Sequence, residues 1–418
     1  MKPKKVLALL AGGWAVALPM IAGADEWQSR SNDPFAVAVY GDAPYGCKAG
    51  STLAPDVCPQ GYSPDTPDGP NPGDPRQLDA TPAFIAAVNR DRRVDFVMHA
   101  GDIHSGSNFC TLAYDQRVFD LWTQFKDALI YTPGDNEWTD CQKSKEGGGA
   151  KNSAGEYVDY AAGHPVANLA LVRSIFFAEP GKTLGAHARH VSSQAEAFDS
   201  AHPSDAEYVE NVLWEKSRVM FVTLNIPGGS NNDGDLWNAG AFGATQSAPQ
   251  IQEVANRTAA DLRWLDAAFA QAKANGDKAL VIMEQADMWD LDGTALADGH
   301  IANYRRFIDE IAAQTKGFAG SVLLINGDSH KYRSDNPLSP TAACVTESAT
   351  GQVPCTENLG LHPGYDVPNF HRVVVHGSTS PLEWLKLTVN ENHNAPAGPN
   401  TFGPFSWSRQ TTGLVGAS

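Results

Sequence analysis

Four apolar runs in this chain end in the same Gly-Asp pair: FAVAVYGD at 35–42, DFVMHAGD at 95–102, ALIYTPGD at 128–135 and GSVLLINGD at 320–328. Runs this long without a polar break read as strands covered on both faces. Helical spacing in TPAFIAAVNR (81–90, with Thr81 as cap) and YDQRVFDLWTQF (114–125) alternates with the first three, which indicates an α/β sheet wrapped by helices. Ligand sites of such sheets form beyond the carboxyl ends of the strands. The repeated ending therefore collects Asp42, Asp102, Asp135 and Asp328 at one rim, with His104, Asn136, Glu137 and His330 beside them. A single Gly-Asp after a strand is an ordinary turn. Four in one setting gather carboxylates that repel one another unless a cation lies among them, and oxygen ligands with one or two imidazoles suit a divalent metal.

The rest of the chain reads more coarsely. Residues 43–79 form a loop insertion, and 140–210 is irregular. LWEKSRVMFVTLNI (213–226) is a hairpin and 248–276 a long amphipathic helix with Leu262, Leu265, Ala268 and Phe269 on one face. A strand over 279–284 and a helix over 302–314 come next, and FHRVVVHG with LEWLKLTV closes a sheet edge over 370–389. Without a repeat or a clean linker, residues 25–390 make one domain with loop insertions, and 391–418 a coil-like tail.

Residues 1–24 read as a secretory signal: MKPKK, an apolar run, and Ala22-Gly23-Ala24 before Asp25. The expectation is an exported chain, periplasmic or secreted, with no membrane attachment after cleavage. Its formal charge of −17 excludes nucleic-acid binding by bulk charge. Six cysteines fit an oxidising compartment. The sequence does not choose among their pairings, but the simplest joins Cys47 to Cys58 and Cys344 to Cys355 and leaves Cys110 with Cys141.

The order of motifs resembles the calcineurin-like metallophosphoesterases, the superfamily that includes purple acid phosphatases. That pattern runs D-x-H, G-D, G-N-H-[D/E], a His after a strand, and G-H-x-H, and the resemblance spans about residues 35–385. Asp42 matches the first aspartate, with Pro44 where a His belongs, and Asp102 matches the bridging aspartate. In PGDNEW, Asp135 falls on the ligand Asn and Asn136 on the catalytic His; a slip of one residue makes Asn136 the ligand instead. The fourth-motif His is replaced by Glu284, Gln285 or Asp287. In GDSH, Asp328 replaces the first His and His330 matches the second.

The resemblance implies a calcineurin-like β-sandwich of mixed sheets flanked by helices, acting as a metal-dependent hydrolase of small phosphate esters, monoester or diester. It also implies two divalent ions (Mn, Mg, Ca, Fe or Zn). The first position keeps Asp42, Asp102 and His330. The second has Asp102, Asp135 or Asn136, Gln285 and Asp328, an oxygen-rich set that favours Mg²⁺, Mn²⁺ or Ca²⁺ over Zn²⁺. With Asn136 at the general-acid position, His104 is the nearest replacement; Glu137 completes that motif and Tyr45 reaches toward phosphate. A monomer or small homo-oligomer is expected. The rival reading is a catalytically degenerate relative that binds a ligand or a structural ion.

Overall fold

The computed structural model describes residues 33–45, 77–106, 108–151, 154–231, 236–237, 246–290, 300–339, 342–348, 351–355, 364–378 and 382–412. The leader at 1–24, most of the 43–79 insertion and the Cys47–Cys58 pairing lie outside them. Among the described residues the strands form two sheets, filled in three passes along the chain. The first pass is β1 (Phe35–Tyr40), β2 (Val94–His99) and β3 (Ala128–Tyr131). The second is β4 (Ser192–Ser193), β5 (Val212–Lys216), β6 (Val219–Thr223), β7 (Ala279–Met283), β8 (Ser321–Asn326), β9 (Arg333–Asp335), β10 (Val345–Ser348), β11 (Gly351–Pro354) and β12 (Phe370–Val374). The third returns to the first sheet with β13 (Glu383–Val389), β14 (Ala395–Gly398), β15 (Thr401–Gly403) and β16 (Phe405–Thr411). Spatial order is β14-β15-β16-β13-β1-β2-β3 in one sheet and β11-β10-β9-β12-β8-β7-β6-β5-β4 in the other.

Both sheets are mixed. β1, β2 and β3 run parallel, as do β6, β7, β8 and β12, while β13 and β16 pair antiparallel. The sheets face each other: Val37, Val39, Phe96 and Met98 share one core with Phe221, Val281, Leu323 and Ile325. The opposite face of β1, Ala36, Ala38 and Tyr40, packs under the helices Gln77–Arg90, Leu112–Trp122 and Pro165–Phe176. Helices Ala248–Asn275 and His300–Lys316 cover the outer face of the second sheet through Trp264, Leu265, Phe269, Phe307 and Ile311. Every β1 residue is thus buried, which is why FAVAVY carries no polar break. Truncating a wholly buried side chain here, such as Phe221→Ala, costs roughly 3–5 kcal/mol. The α/β sandwich flanked by helices is as the sequence implied.

Four local expectations are corrected. The first helix starts at Gln77, and the Thr81 hydroxyl, inside it, donates to the Gln77 carbonyl at 2.6 Å instead of capping. The 370–389 segments do not share an edge: β12 lies between β9 and β8, and β13 between β16 and β1. The stretch read as irregular contains the helix Pro165–Phe176, with Pro165 at its first turn. The C-terminal stretch read as coil supplies β14 to β16, with Phe402, Phe405 and Trp407 buried in the inter-sheet core; β16 pairs with β13, β15 with β16 and β14 with β15, which compensates for a Pro- and Gly-rich sequence with little strand signal of its own.

Candidate metal centre

The carboxyl ends of the parallel strands of both sheets open onto one rim. Asp42 follows β1, Asp102 follows β2, and Asp328 and His330 follow β8, all four in left-handed backbone (φ 49°, 57°, 72° and 61°). Aspartate tolerates this region better than most residues because its short side chain can bond to nearby backbone. Gly134 has a steric reason: a Cβ there would come within 2.0 Å of Asp102 Oδ1.

Asp42, Asp102 and His330 each offer a ligand atom, all within 4.8 Å of one another. His330 Nε2 lies 3.5 Å from Asp42 Oδ1, which also accepts the Asp328 N–H at 3.0 Å. Asp42 Oδ2 is buried with no hydrogen-bond partner. Tyr45 is buried against this group, and its hydroxyl donates to Asp102 Oδ2 at 3.3 Å. Asn136 Nδ2 donates to Asp102 Oδ2 and to the His104 carbonyl, each at 3.0 Å.

The neighbouring position gathers Asp135, Gln285 and Asp328. Gln285 Nε2 donates to Asp135 Oδ1 at 2.9 Å and to Asp102 Oδ2 at 3.2 Å. Asp328 Oδ2 accepts the Asp287 N–H at 2.9 Å. Of the three fourth-motif alternatives, only Gln285 is brought against Asp102 and Asp135. Glu284 is buried with neither carboxylate oxygen bonded. Although burial pushes the Asp287 carboxyl up, Arg372 and then Arg333 hold it below its usual range.

The electrostatics follow from crowding without water. Burial pushes the Asp42 carboxyl well above its ordinary range, and Asp328 pushes it further. Asp102 is raised first by burial, then by Asp135 and Glu137; Asp135 by burial, then by Asp140 and Asp328. Burial lifts Asp328 to about 6. Carboxylates held this way favour either protonation or a cation among them. Oxygen donors with one imidazole, and an orphaned carboxylate oxygen on Asp42, fit a divalent cation at Asp42, Asp102 and His330.

Two candidates face elsewhere. The Glu137 Oε1 accepts the Tyr131 hydroxyl and the Gly134 N–H, the latter at 2.7 Å, and so pins the turn after β3. The buried His104 ring stands edge-on to Tyr114 at 5.5 Å, and its Nδ1 faces the Ser105 carbonyl at 3.3 Å. Burial lowers its pKa to about 4, so the ring is neutral at ordinary pH. The adjacent Cys110–Cys141 disulfide lays both sulfurs against the Asn136 carbonyl, at 3.4 and 3.5 Å. Cys344 and Cys355 form the second described disulfide.

Sequence reasoning missed two supports. Arg372, in the middle of β12, pairs with Asp335 at 2.8 Å and with Asp287, whose carboxylate accepts the Ser329 hydroxyl at 2.7 Å; this fixes the Asp328 loop from beneath. An arginine inside the apolar run FHRVVV was the available signal. The other support is Gly228, in the Gly/Asn-rich loop after β6, whose N–H donates to Gln285 Oε1. A third acidic group, Glu347, His376 and Glu383, is already balanced by Arg409, which lies 2.8 Å from Glu347 and 2.6 Å from Glu383.

The calcineurin-like phosphoesterase family model matches residues 37–243, a stretch that holds Asp42, Asp102 and Asp135. Among solved structures, the chain is similar to a purple acid phosphatase isolated from yellow lupin (Lupinus luteus) seeds, with 11% identity and a TM-score of 0.42. That likeness covers 92% of this chain and 53% of the other, so the chain spans about half the length of that structure. No curated protein matches.

Proposed function

We propose that this chain, whose residues 37–243 match the calcineurin-like phosphoesterase family model, is an exported, metal-dependent hydrolase of small phosphate esters. The observation that carries this reading is the convergence of Asp42, Asp102 and His330 from two sheets, with a buried, unbonded carboxylate oxygen on Asp42. A divalent cation held there supplies positive charge beside the ester's phosphate oxygens. The protein's own groups bind and orient. Burial, then the charge of Asp102, raises the Tyr45 hydroxyl well above its usual pKa, so it stays protonated and donates. Asn136 holds Asp102 in place through its side-chain amide and its backbone N–H, the latter at 3.2 Å. Export is supported by the leader-like first 24 residues and by two disulfides. No helix among the described residues is long and apolar enough to cross a membrane.

One observation favours the second reading, a cation- or ligand-binding relative without catalysis. Asn136 cannot transfer a proton at ordinary pH, and His104 is buried and neutral. Cation content of the purified protein and hydrolysis of an aryl phosphate with added Mn²⁺, Mg²⁺, Ca²⁺ or Zn²⁺ separate the two. Turnover that disappears in Asp42→Asn supports the hydrolase. Cation binding without turnover supports the cation binder, and no cation binding at all overturns both the hydrolase and the cation binder.

A further inference from the structure

Gln285 reaches from the end of β7 into the gap between Asp102 and Asp135, two carboxylates of the other sheet. Its amide orientation is settled by chemistry. The Gly228 N–H can only donate, so it requires the Gln285 oxygen, and the NH₂ then faces Asp135 Oδ1 at 2.9 Å and Asp102 Oδ2 at 3.2 Å. Turning the amide over would set N–H against N–H and its carbonyl against two carboxylates. Gly228 is itself held close, since a Cβ there would lie 2.8 Å from Asp328 Oδ1 and 2.9 Å from Asp135 Oδ1.

Asn136 is oriented by the same logic. The His104 carbonyl can only accept, so the Asn136 NH₂ faces both it and Asp102 Oδ2, at 3.0 Å each. With the Tyr45 hydroxyl, three side-chain donors converge on Asp102 Oδ2. A cation between Asp102 and Asp135 needs an oxygen where Gln285 presents N–H.

We infer that the Gln285 carboxamide stands in place of a second cation, so that the centre takes one divalent ion, at Asp42, Asp102 and His330. This rests on the reading of those three residues as a cation position. It replaces the charge of a second ion by donated hydrogen bonds, which relieve the Asp102–Asp135 repulsion without a metal.

The test loads the full-length protein with Mn²⁺ and counts bound manganese by elemental analysis, with electron paramagnetic resonance to distinguish an isolated ion from an exchange-coupled pair. We expect one ion per wild-type chain and the isolated-ion spectrum. Gln285→Glu removes the N–H donors and adds a carboxylate of the same shape, so it should bind two ions and show the coupled spectrum. Two ions in the wild type, or one ion in a folded Gln285→Glu chain, would overturn the inference and leave the cation centre standing. No manganese in the wild type would overturn the centre itself. If Gln285→Glu does not fold, the wild-type count and spectrum decide alone.

Discussion

The Tyr45 hydroxyl lies 3.2 Å from Nε2 of His330, 285 positions later in the chain, and the two rings meet edge-on with centroids 5.6 Å apart. Tyr45 leaves the first sheet and His330 the second, so the contact joins the two halves of the rim at its centre. Its hydroxyl is also the proposed donor to a phosphate oxygen.

Tyr45→Phe keeps the ring and removes that donor. Urea unfolding should show a loss of about 1 kcal/mol for the hydrogen bonds, with cation content unchanged. The kcat/KM for an aryl phosphate should fall roughly tenfold to a thousandfold, as when a donor to developing charge is removed. An unchanged kcat/KM would say that the hydroxyl only supports Asp102.

Asp102→Asn should weaken Mn²⁺ binding by roughly tenfold or more, since it removes a ligand's charge and not merely a supporting bond. Asp95→Asn is the control on the same strand. Asp95 pairs with Arg189 at 2.9 Å and Lys216 at 3.1 Å, so its loss should lower stability by about 1 kcal/mol or less and leave cation affinity alone. Calorimetric titration with Mn²⁺ on both proteins checks it, and equal affinities would remove Asp102 from the centre.

Replacing both Cys110 and Cys141 by Ser opens a link between residues 31 apart. In the chain-entropy account the loss is roughly 3–4 kcal/mol, readable in chemical unfolding. Because both sulfurs lie against the Asn136 carbonyl, hydrolysis should fall further than stability alone accounts for at temperatures where the variant stays folded. Full activity there would assign the bridge to stability only.

Asp277 makes its own contribution to the pH dependence of stability, with a definite sign. Burial, then Glu215, raises its pKa to about 8. In the unfolded chain an aspartate ionises near pH ~4. Between those values the folded state holds the extra proton, so this residue's contribution is fully present below about pH 4 and is lost as pH rises through about 8. Asp277→Asn should therefore stabilise the protein more at pH 8 than at pH 5. Melting curves at the two values test it, and an equal shift at both would mean that Asp277 ionises normally in the fold.

Legibility varied with how local the signal was. The helix Ala248–Asn275 was readable nearly to the residue, because its apolar stripe repeats with the helical period and Gly276 ends it in left-handed backbone (φ 71°). The hairpin of β5 and β6 was readable for a similar reason: two apolar runs flank Ser217 and Arg218, both with positive φ. In contrast, β14 to β16 carry short alternations between prolines and glycines. Their strand character depends on β13, which pairs with β16 from Glu383–Thr411 to Val389–Phe405. At the rim, the four Gly-Asp endings announced Asp42, Asp102, Asp135 and Asp328. Nothing near Gln285 in the sequence announced Gly228, 57 residues away, which orients it.

The sequence by itself determined the strand runs, the turns that end them and the acid-rich character of the loops beyond those turns, because backbone propensity and side-chain period act over a few neighbouring residues. Only the tertiary structure decided which oxygens meet. Two sheets had to pack face to face before His330 stood against Asp42 and before the Gln285 amide entered between Asp102 and Asp135. Hydrogen bonds and Coulomb forces between buried groups act through a few ångströms of space, and residues hundreds of positions apart come within that range only after the hydrophobic core has brought the strand ends together.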